Sequence, residues 1–200
     1  MRTFFLGDDE SQIEFFGTES HLIQTERDQI DPAKDDILFD LRDEAWDLEL
    51  YTRFKNLVFI NAVVGTLSNN QTPGHVVRFN GWPGMLSRPI VEATGQLHCQ
   101  EKASAILDSY GKKVEWVADV PGLISPRVIA MIINEACFAE KEGVSDKNSI
   151  DIAMKLGTNY PIGPFEWADQ IGWDRVSRLL QELSITGNRY IPADQLIHHR

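Results

Sequence analysis

The chain has 200 residues, of which 42% are hydrophobic and 24% charged, and its net charge is −11. That is the composition of a soluble globular protein, with chain enough for one or two domains and a sizeable core. Residues 1–56 hold 15 acids and 6 bases, a net −9, and such a field repels nucleic acid, anionic membrane and phosphate-rich ligands. No run of about 18 apolar residues offers a membrane span, so neither a nucleic acid nor a membrane is an expected partner. The opening MRTFFLGDDE has too short an apolar core for a signal peptide. Cys99 and Cys137 are not spaced as a metal motif. Read as reduced, small hydrophobes, they point to the cytoplasm, and no metal is expected.

The first half alternates short apolar runs with helical patterns. Thr3–Leu6 reads as a strand, and Gln12–Phe16 as a short helix with Ile13 and Phe16 inward. His21–Thr25 and Ile37–Leu41 read as further strands, separated by a polar turn around Pro32. Asp43–Lys55 fits a helix on which Trp46, Leu50 and Phe54 recur every four residues. Leu57–Val64 is nearly all apolar, as suits a central strand buried on both faces. His75–Phe79 and Pro89–Ala93 read as strands around the turn NGWPG, followed by a helix at Gln100–Tyr110 and a strand at Val114–Val117. Strands joined by crossover helices predict a mostly parallel, doubly wound sheet.

From Pro121 onward the pattern is helical. Ser125-Pro126 is a helix start, with a hydroxyl cap and a proline in the first turn, and Gly143 is placed to end that helix. Ser145 is expected to cap a second helix that Gly157 ends. Gly163-Pro164 opens a third, Gly172 interrupts it, and Asp174 is expected to cap a fourth running to about Leu183. The expected domains are 1–119, a shortened Rossmann-like sheet domain, and 120–200, all helical.

The stretch VPGLISPRVIAMIINEACFAEKEGVSDKNSIDIAMKLGTNYPIGPFEWADQIG closely resembles the start of the C-terminal domain of the 3-hydroxyacyl-CoA dehydrogenase family. The match runs from about Pro121 to Gly172, and RPIVEATG at 88–95 resembles the end of that family's nucleotide domain. The resemblance implies a Rossmann-like domain followed by a helical domain of the 6-phosphogluconate dehydrogenase C-terminal type. It further implies NAD as cofactor, an acyl-CoA ligand, a role in fatty-acid metabolism and a homodimer formed through the helical domain. Read without the family, Gly163, Pro164, Phe165 and Trp167 make a locked helix–turn–helix corner. Glu166 and Asp169 sit in the first turns, where carboxylates favour the positive helix end.

Against that resemblance several chemical positions differ. A dinucleotide needs G-x-G-x-x-G after the first strand, whereas the chain reads GDDESQ at 7–12, keeping Gly7 and placing Asp8, Asp9 and Glu10 where diphosphate would lie. No cofactor is therefore expected. Glu26, 19 residues after Gly7, stands near the place of a ribose-binding acid, with little weight among so many acids. The family's catalytic histidine is matched by Arg78, which stays protonated and is not a ready base. Its orienting glutamate is kept as Glu92, and an Arg78–Glu92 ion pair is expected. His75 is read as a satisfied structural histidine on the opposite strand face. The resemblance makes Asn61 and Arg127 substrate-binding candidates, while Val63 and Val64 stand where hydroxyls would bind, and Pro126 replaces an asparagine.

The expected protein is a member of that oxidoreductase family with a degenerate site, lacking ordinary NAD binding and the catalytic histidine. The alternatives are a genuine or partner-dependent 3-hydroxyacyl-CoA dehydrogenase, and a dimeric structural or interaction protein.

Overall fold

The computed structural model describes residues 2–17, 22–24 and 26–198. The chain divides into two compact units, Met1–Leu123 and Ile124–Arg200.

The first unit is built on a sheet of seven strands among the described residues, in the order β2-β1-β3-β4-β5-β6-β7. In chain order its elements are β1 (Thr3–Leu6), α1 (Asp9–Phe16), β2 (Leu22–Gln24), β3 (Ile37–Asp40), α2 (Leu48–Arg53), β4 (Val58–Asn61), β5 (Val76–Phe79), β6 (Ile90–Thr94), α3 (Leu97–Ser109) and β7 (Lys113–Trp116). His21 and Thr25, the ends of the second expected strand, lie outside the described residues. Every neighbouring pair is parallel except β5 and β6. Only residues 80–89 join those two, with no crossover helix, and a link that short permits only antiparallel pairing. The chain order reverses at β1, which lies between β2 and β3. Relative to the 3-2-1-4-5-6 order of a dinucleotide-binding sheet, no strand lies outside β2 among the described residues. A 3₁₀ turn at Arg27–Gln29 stands in the β2–β3 connection instead.

Strand alternation sends successive side chains to opposite faces, and both faces are apolar. Phe5, Phe39, Phe59, Val77 and Phe79 meet α1 and α3 on one side. Phe4, Leu38, Val58, Ile60 and Val76 meet Leu50, Tyr51 and Phe54 on the other. The rings of Phe39 and Phe59 stack across adjacent parallel strands with centroids 4.5 Å apart. On α1 it is Phe15, not Ile13, that is buried. Helix α2 is shorter than its periodicity suggests. Glu44 and Trp46 take positive φ angles of 51° and 41°, which no helix tolerates, and Asp47 then caps the helix by accepting from Leu50 N at 3.2 Å.

The second unit comprises α4 (Ser125–Lys141), α5 (Lys147–Thr158), α6 (Pro164–Ile171), α7 (Trp173–Ser184) and a short α8 (Asp194–His198). Asp146, one residue later than expected, caps α5 by accepting from Ser149 N. The helix passes through Gly157 and ends at Asn159, which adopts the left-handed conformation. Gly172, not Asp174, is the cap position of α7. The Gly-Pro corner has a tertiary cause. Asp151 of α5 is buried and accepts from Phe165 N (2.9 Å) and Glu166 N (3.2 Å), the open amides of α6. A Cβ at Gly163 would stand 2.2 Å from that carboxyl carbon, so only glycine fits. Glu166 closes the corner by accepting from Gly163 N at 2.8 Å.

Asp36 ties the start of β1 to the turn before β3, accepting from Arg2 N (2.7 Å), Arg2 Nε (2.8 Å) and Ala33 N (2.9 Å). Burial alone would raise its pKa, but the Arg2 guanidinium and the two backbone donors outweigh burial and hold it at about 2. The folded value lies below the unfolded one, so this stabilisation is full above about pH 4 and drains away as pH falls toward 2. Asp36→Asn is expected to cost ~1–2 kcal/mol at neutral pH and to flatten the acid limb of stability. Urea midpoints between pH 5 and pH 2 measure this, and an acid limb as steep as wild type counts against the assignment.

Candidate functional site

In open α/β sheets ligands bind beyond the carboxyl ends of the strands, where the strand order reverses. Here that rim is formed by residues following β1, β3, β4 and β5.

After β1, Gly7 has φ +155°, and a Cβ there would meet the Phe5 ring at 2.8 Å and Leu41 at 3.2 Å, so packing alone retains this glycine. Asp8 follows as the cap of α1, its carboxylate accepting from Ser11 N at 2.8 Å. Asp9 and Glu10 occupy the first turn. The helix end that attracts phosphate in a dinucleotide fold is thus supplied with the chain's own carboxylates.

After β3, Asp40 is fully buried. Arg42 Nε and Nη2 donate to it at 2.8 and 2.6 Å, and the Tyr51 hydroxyl lies 3.0 Å from it. The chain then bends at Glu44. The Glu44 carboxylate accepts from three successive backbone amides beyond β4, Val63 N (2.5 Å), Val64 N (2.6 Å) and Gly65 N (3.0 Å), and from Trp46 Nε1 (3.0 Å). Gly65 is required because a Cβ would lie 2.5 Å from the Trp46 ring. Val63 and Val64 supply no hydroxyls, but their backbones are the donors.

Arg78 is completely buried, on the sheet face shared by Val76 and Ile60. Its Nε donates to Asp119 at 2.7 Å, Nη1 to the Ala62 carbonyl at 3.0 Å and Nη2 to the Val120 carbonyl at 2.8 Å. The expected partner was Glu92. Antiparallel register sets Thr94 opposite Arg78 and leaves Glu92 two residues along β6, while Asp119 lies in direct reach. Burial lowers the guanidinium pKa, and Asp119 opposes it. Burial would likewise raise the Asp119 carboxyl, but Arg78, Ser68 N and Leu67 N outweigh burial and hold it below the usual carboxylate range. Both groups remain ionised, as a guanidinium must in a protein. The guanidinium has no site to accept a proton, and the Asp119 carboxylate is a weaker base than an ordinary one.

Asn61 is buried at the end of β4. Its amide donates to the Leu41 carbonyl at 3.1 Å, and among the described residues its Oδ1 has no hydrogen-bond partner. Gly81 is packed on it so closely that a Cβ would meet the side chain at 2.4 Å. Glu92 is half-buried on β6 beside Glu115 of β7. His75 stands in the turn before β5, where strand alternation does not hold. Its Nε2 is 3.0 Å from the Tyr51 carbonyl, on the same face as Arg78. Arg127 belongs to the first turn of α4 in the helical unit, its guanidinium 5.8 Å from the Tyr190 ring. Arg78, Asn61 and Glu92 therefore belong to the first unit and Arg127 to the second.

Asp119 and Glu44 carry the polar structure of this rim, and sequence reasoning assigned neither of them to it. Asp119 read as a domain boundary and Glu44 as part of a helix. A cavity of about 360 Å³ opens beside Asp119, with Ser68, Thr72, Thr94 and Gln96 in its wall. Among the described residues no group of three histidines, cysteines or acids could hold a metal ion. No helix there is long and apolar enough to cross a membrane.

Residues 122–198 match the family model of the 3-hydroxyacyl-CoA dehydrogenase C-terminal domain. The chain is 50% identical over 97 residues to 3-hydroxyadipyl-CoA dehydrogenase of Escherichia coli (strain K12), a match covering 48% of this chain and 20% of that protein. It is 36% identical over 101 residues to 3-hydroxybutyryl-CoA dehydrogenase of Bradyrhizobium diazoefficiens, covering 50% of this chain and 34% of that one. The chain thus spans a fifth to a third of these two relatives. Among solved structures, (S)-3-hydroxybutyryl-CoA dehydrogenase PaaH1 from Ralstonia eutropha superposes with a TM-score of 0.72 over 88% of this chain and 69% of its own. The identity is 23%, a likeness of fold. The match over residues 122–198 thus identifies the helical unit with the C-terminal domain of the 3-hydroxyacyl-CoA dehydrogenase family, and the sheet unit and helical unit share the fold of such a dehydrogenase.

Proposed function

We propose that this chain is a family member that has given up ordinary NAD-dependent hydride transfer and keeps the scaffold, a homodimer able to take an acyl-CoA-like ligand. One observation carries this reading: Arg78, which the sequence resemblance sets against the family's catalytic histidine, is buried and ion-paired. A general base must be able to release and accept a proton near neutral pH, and a guanidinium held by Asp119 and two carbonyls does neither. The β1–α1 turn supports the same reading, because the residues there do not fit a diphosphate. Asp8 already accepts from the first turn of α1, and Asp9 and Glu10 add like charge. Glu92 remains as a carboxylate without the histidine it would orient. The alternative is a genuine or partner-dependent 3-hydroxyacyl-CoA dehydrogenase, for which the likeness to 3-hydroxyadipyl-CoA dehydrogenase is the support.

Exposed apolar side chains support the dimer. On α5, Ile152 and Leu156 lie one turn apart on one stripe at 45% and 84% exposure, a pattern that fits a second copy better than water. A cytoplasmic setting fits the two cysteines, both buried and unpaired.

Thermal shift separates the readings. With purified protein, acetoacetyl-CoA is expected to raise Tm by several degrees while NADH and NAD leave it unchanged. A saturable NADH shift, or oxidation of 3-hydroxybutyryl-CoA by the pure protein, would falsify the loss of hydride transfer. Arg78→Met is expected to cost roughly 3–5 kcal/mol, because Asp119 is left without its counter-charge. Chemical denaturation measures that loss, and a value under ~1 kcal/mol removes the structural role of the pair. Leu156→Glu is expected to convert a dimer into a monomer in light scattering, and an unaltered mass rules out this face.

A further inference from the structure

The loop beyond β4 has the construction of an anion site. Three consecutive amides, of Val63, Val64 and Gly65, converge on one carboxylate, and the indole N–H of Trp46 adds a fourth donor. Successive backbone N–H groups in a turn form a concavity that selects anions without any cationic side chain. Its occupant here is Glu44. That residue is delivered by a segment bent at two positive φ angles, Glu44 at 51° and Trp46 at 41°. Side-chain-bearing residues avoid this conformation unless the surroundings impose it. Glu44, Trp46, Val64 and Gly65 are all half-buried, so the cradle adjoins solvent.

We infer that the turn Val63–Val64–Gly65, with Trp46, is a monocarboxylate-binding site that this chain fills with its own Glu44. The donors are backbone atoms fixed by β4. The backbone Glu44 N also donates to the Asn61 carbonyl at 3.1 Å, so the segment stays anchored when the side chain is shortened. Replacing glutamate by alanine deletes the CγH₂–COO⁻ unit, which is acetate in size and charge. Acetate therefore fits the vacated space, and a branched carboxylate such as pivalate does not. The inference stands whether or not the chain has dehydrogenase activity, because its readout is binding.

The experiment compares wild type, Glu44→Ala and Glu44→Gln by thermal denaturation in sodium acetate, sodium pivalate and sodium chloride at matched ionic strength. Glu44→Ala is expected to lower Tm by roughly 5–10 °C through the loss of charge-assisted hydrogen bonds. Acetate should restore at least half of that loss saturably, while pivalate and chloride restore none. Glu44→Gln, which fills the space without the charge, should not respond to acetate. A response of Glu44→Ala to acetate no larger than that of wild type overturns the inference. If Glu44→Ala does not fold in chloride, its soluble refolding yield in acetate decides the question. Recovery confined to acetate supports the site, and equal yields in all three salts reject it.

Discussion

The constraint on which the sheet end depends is a permanent positive charge with no access to water. Arg78 is fully buried, and a guanidinium cannot escape burial by losing its proton. Its hydrogen-bonding capacity has to be met by protein, or the cost is several kcal/mol. Three attachments meet it: the carboxylate of Asp119 and the carbonyls of Ala62 and Val120. These fix the end of β4 and the segment that follows β7. Asp119 in turn accepts from Leu67 N, Ser68 N and the Ser68 hydroxyl, and Gly122 N donates to the Val63 carbonyl at 2.7 Å. One side chain thereby ties three segments together.

A second theme is the use of internal carboxylates to satisfy backbone amides. Asp8 does so for α1, Asp47 for α2, Asp146 for α5, Asp151 for α6 and Glu44 for the turn beyond β4. Each is a place where an element starts or the chain turns, and where free N–H groups would draw an anion. The acidity of the chain is in part this internal supply.

Much of the architecture was legible because two periodicities are strong. The near-continuous apolar run at Leu57–Val64 announced a strand buried on both faces, and the helix expected at Gln100–Tyr110 corresponds to α3, which begins three residues earlier at Leu97. Turn chemistry was legible at Gly163-Pro164, though its cause, the Asp151 carboxylate 12 residues upstream, is tertiary and leaves no local trace. The fourfold recurrence of Trp46, Leu50 and Phe54 overstated α2 because a hydrogen-bonded side chain, Glu44, outweighs helical propensity. At the site, the identity of Arg78 was enough to exclude a base. Its partner was misread because strand register decides it, and register is set by the 80–89 connection rather than by spacing along either strand. Asn61 and Glu92 were located by resemblance alone, and nothing in their local sequence marks them.

One margin of the sheet carries a further consequence. A strand margin with open amides and carbonyls is a template for adding foreign strands and growing fibres. At the β7 margin the strand alternates exposed Lys113 and Glu115 with inward Val114 and Trp116, so an incoming strand meets two charges. The β7 margin is thereby protected against the addition of a foreign strand.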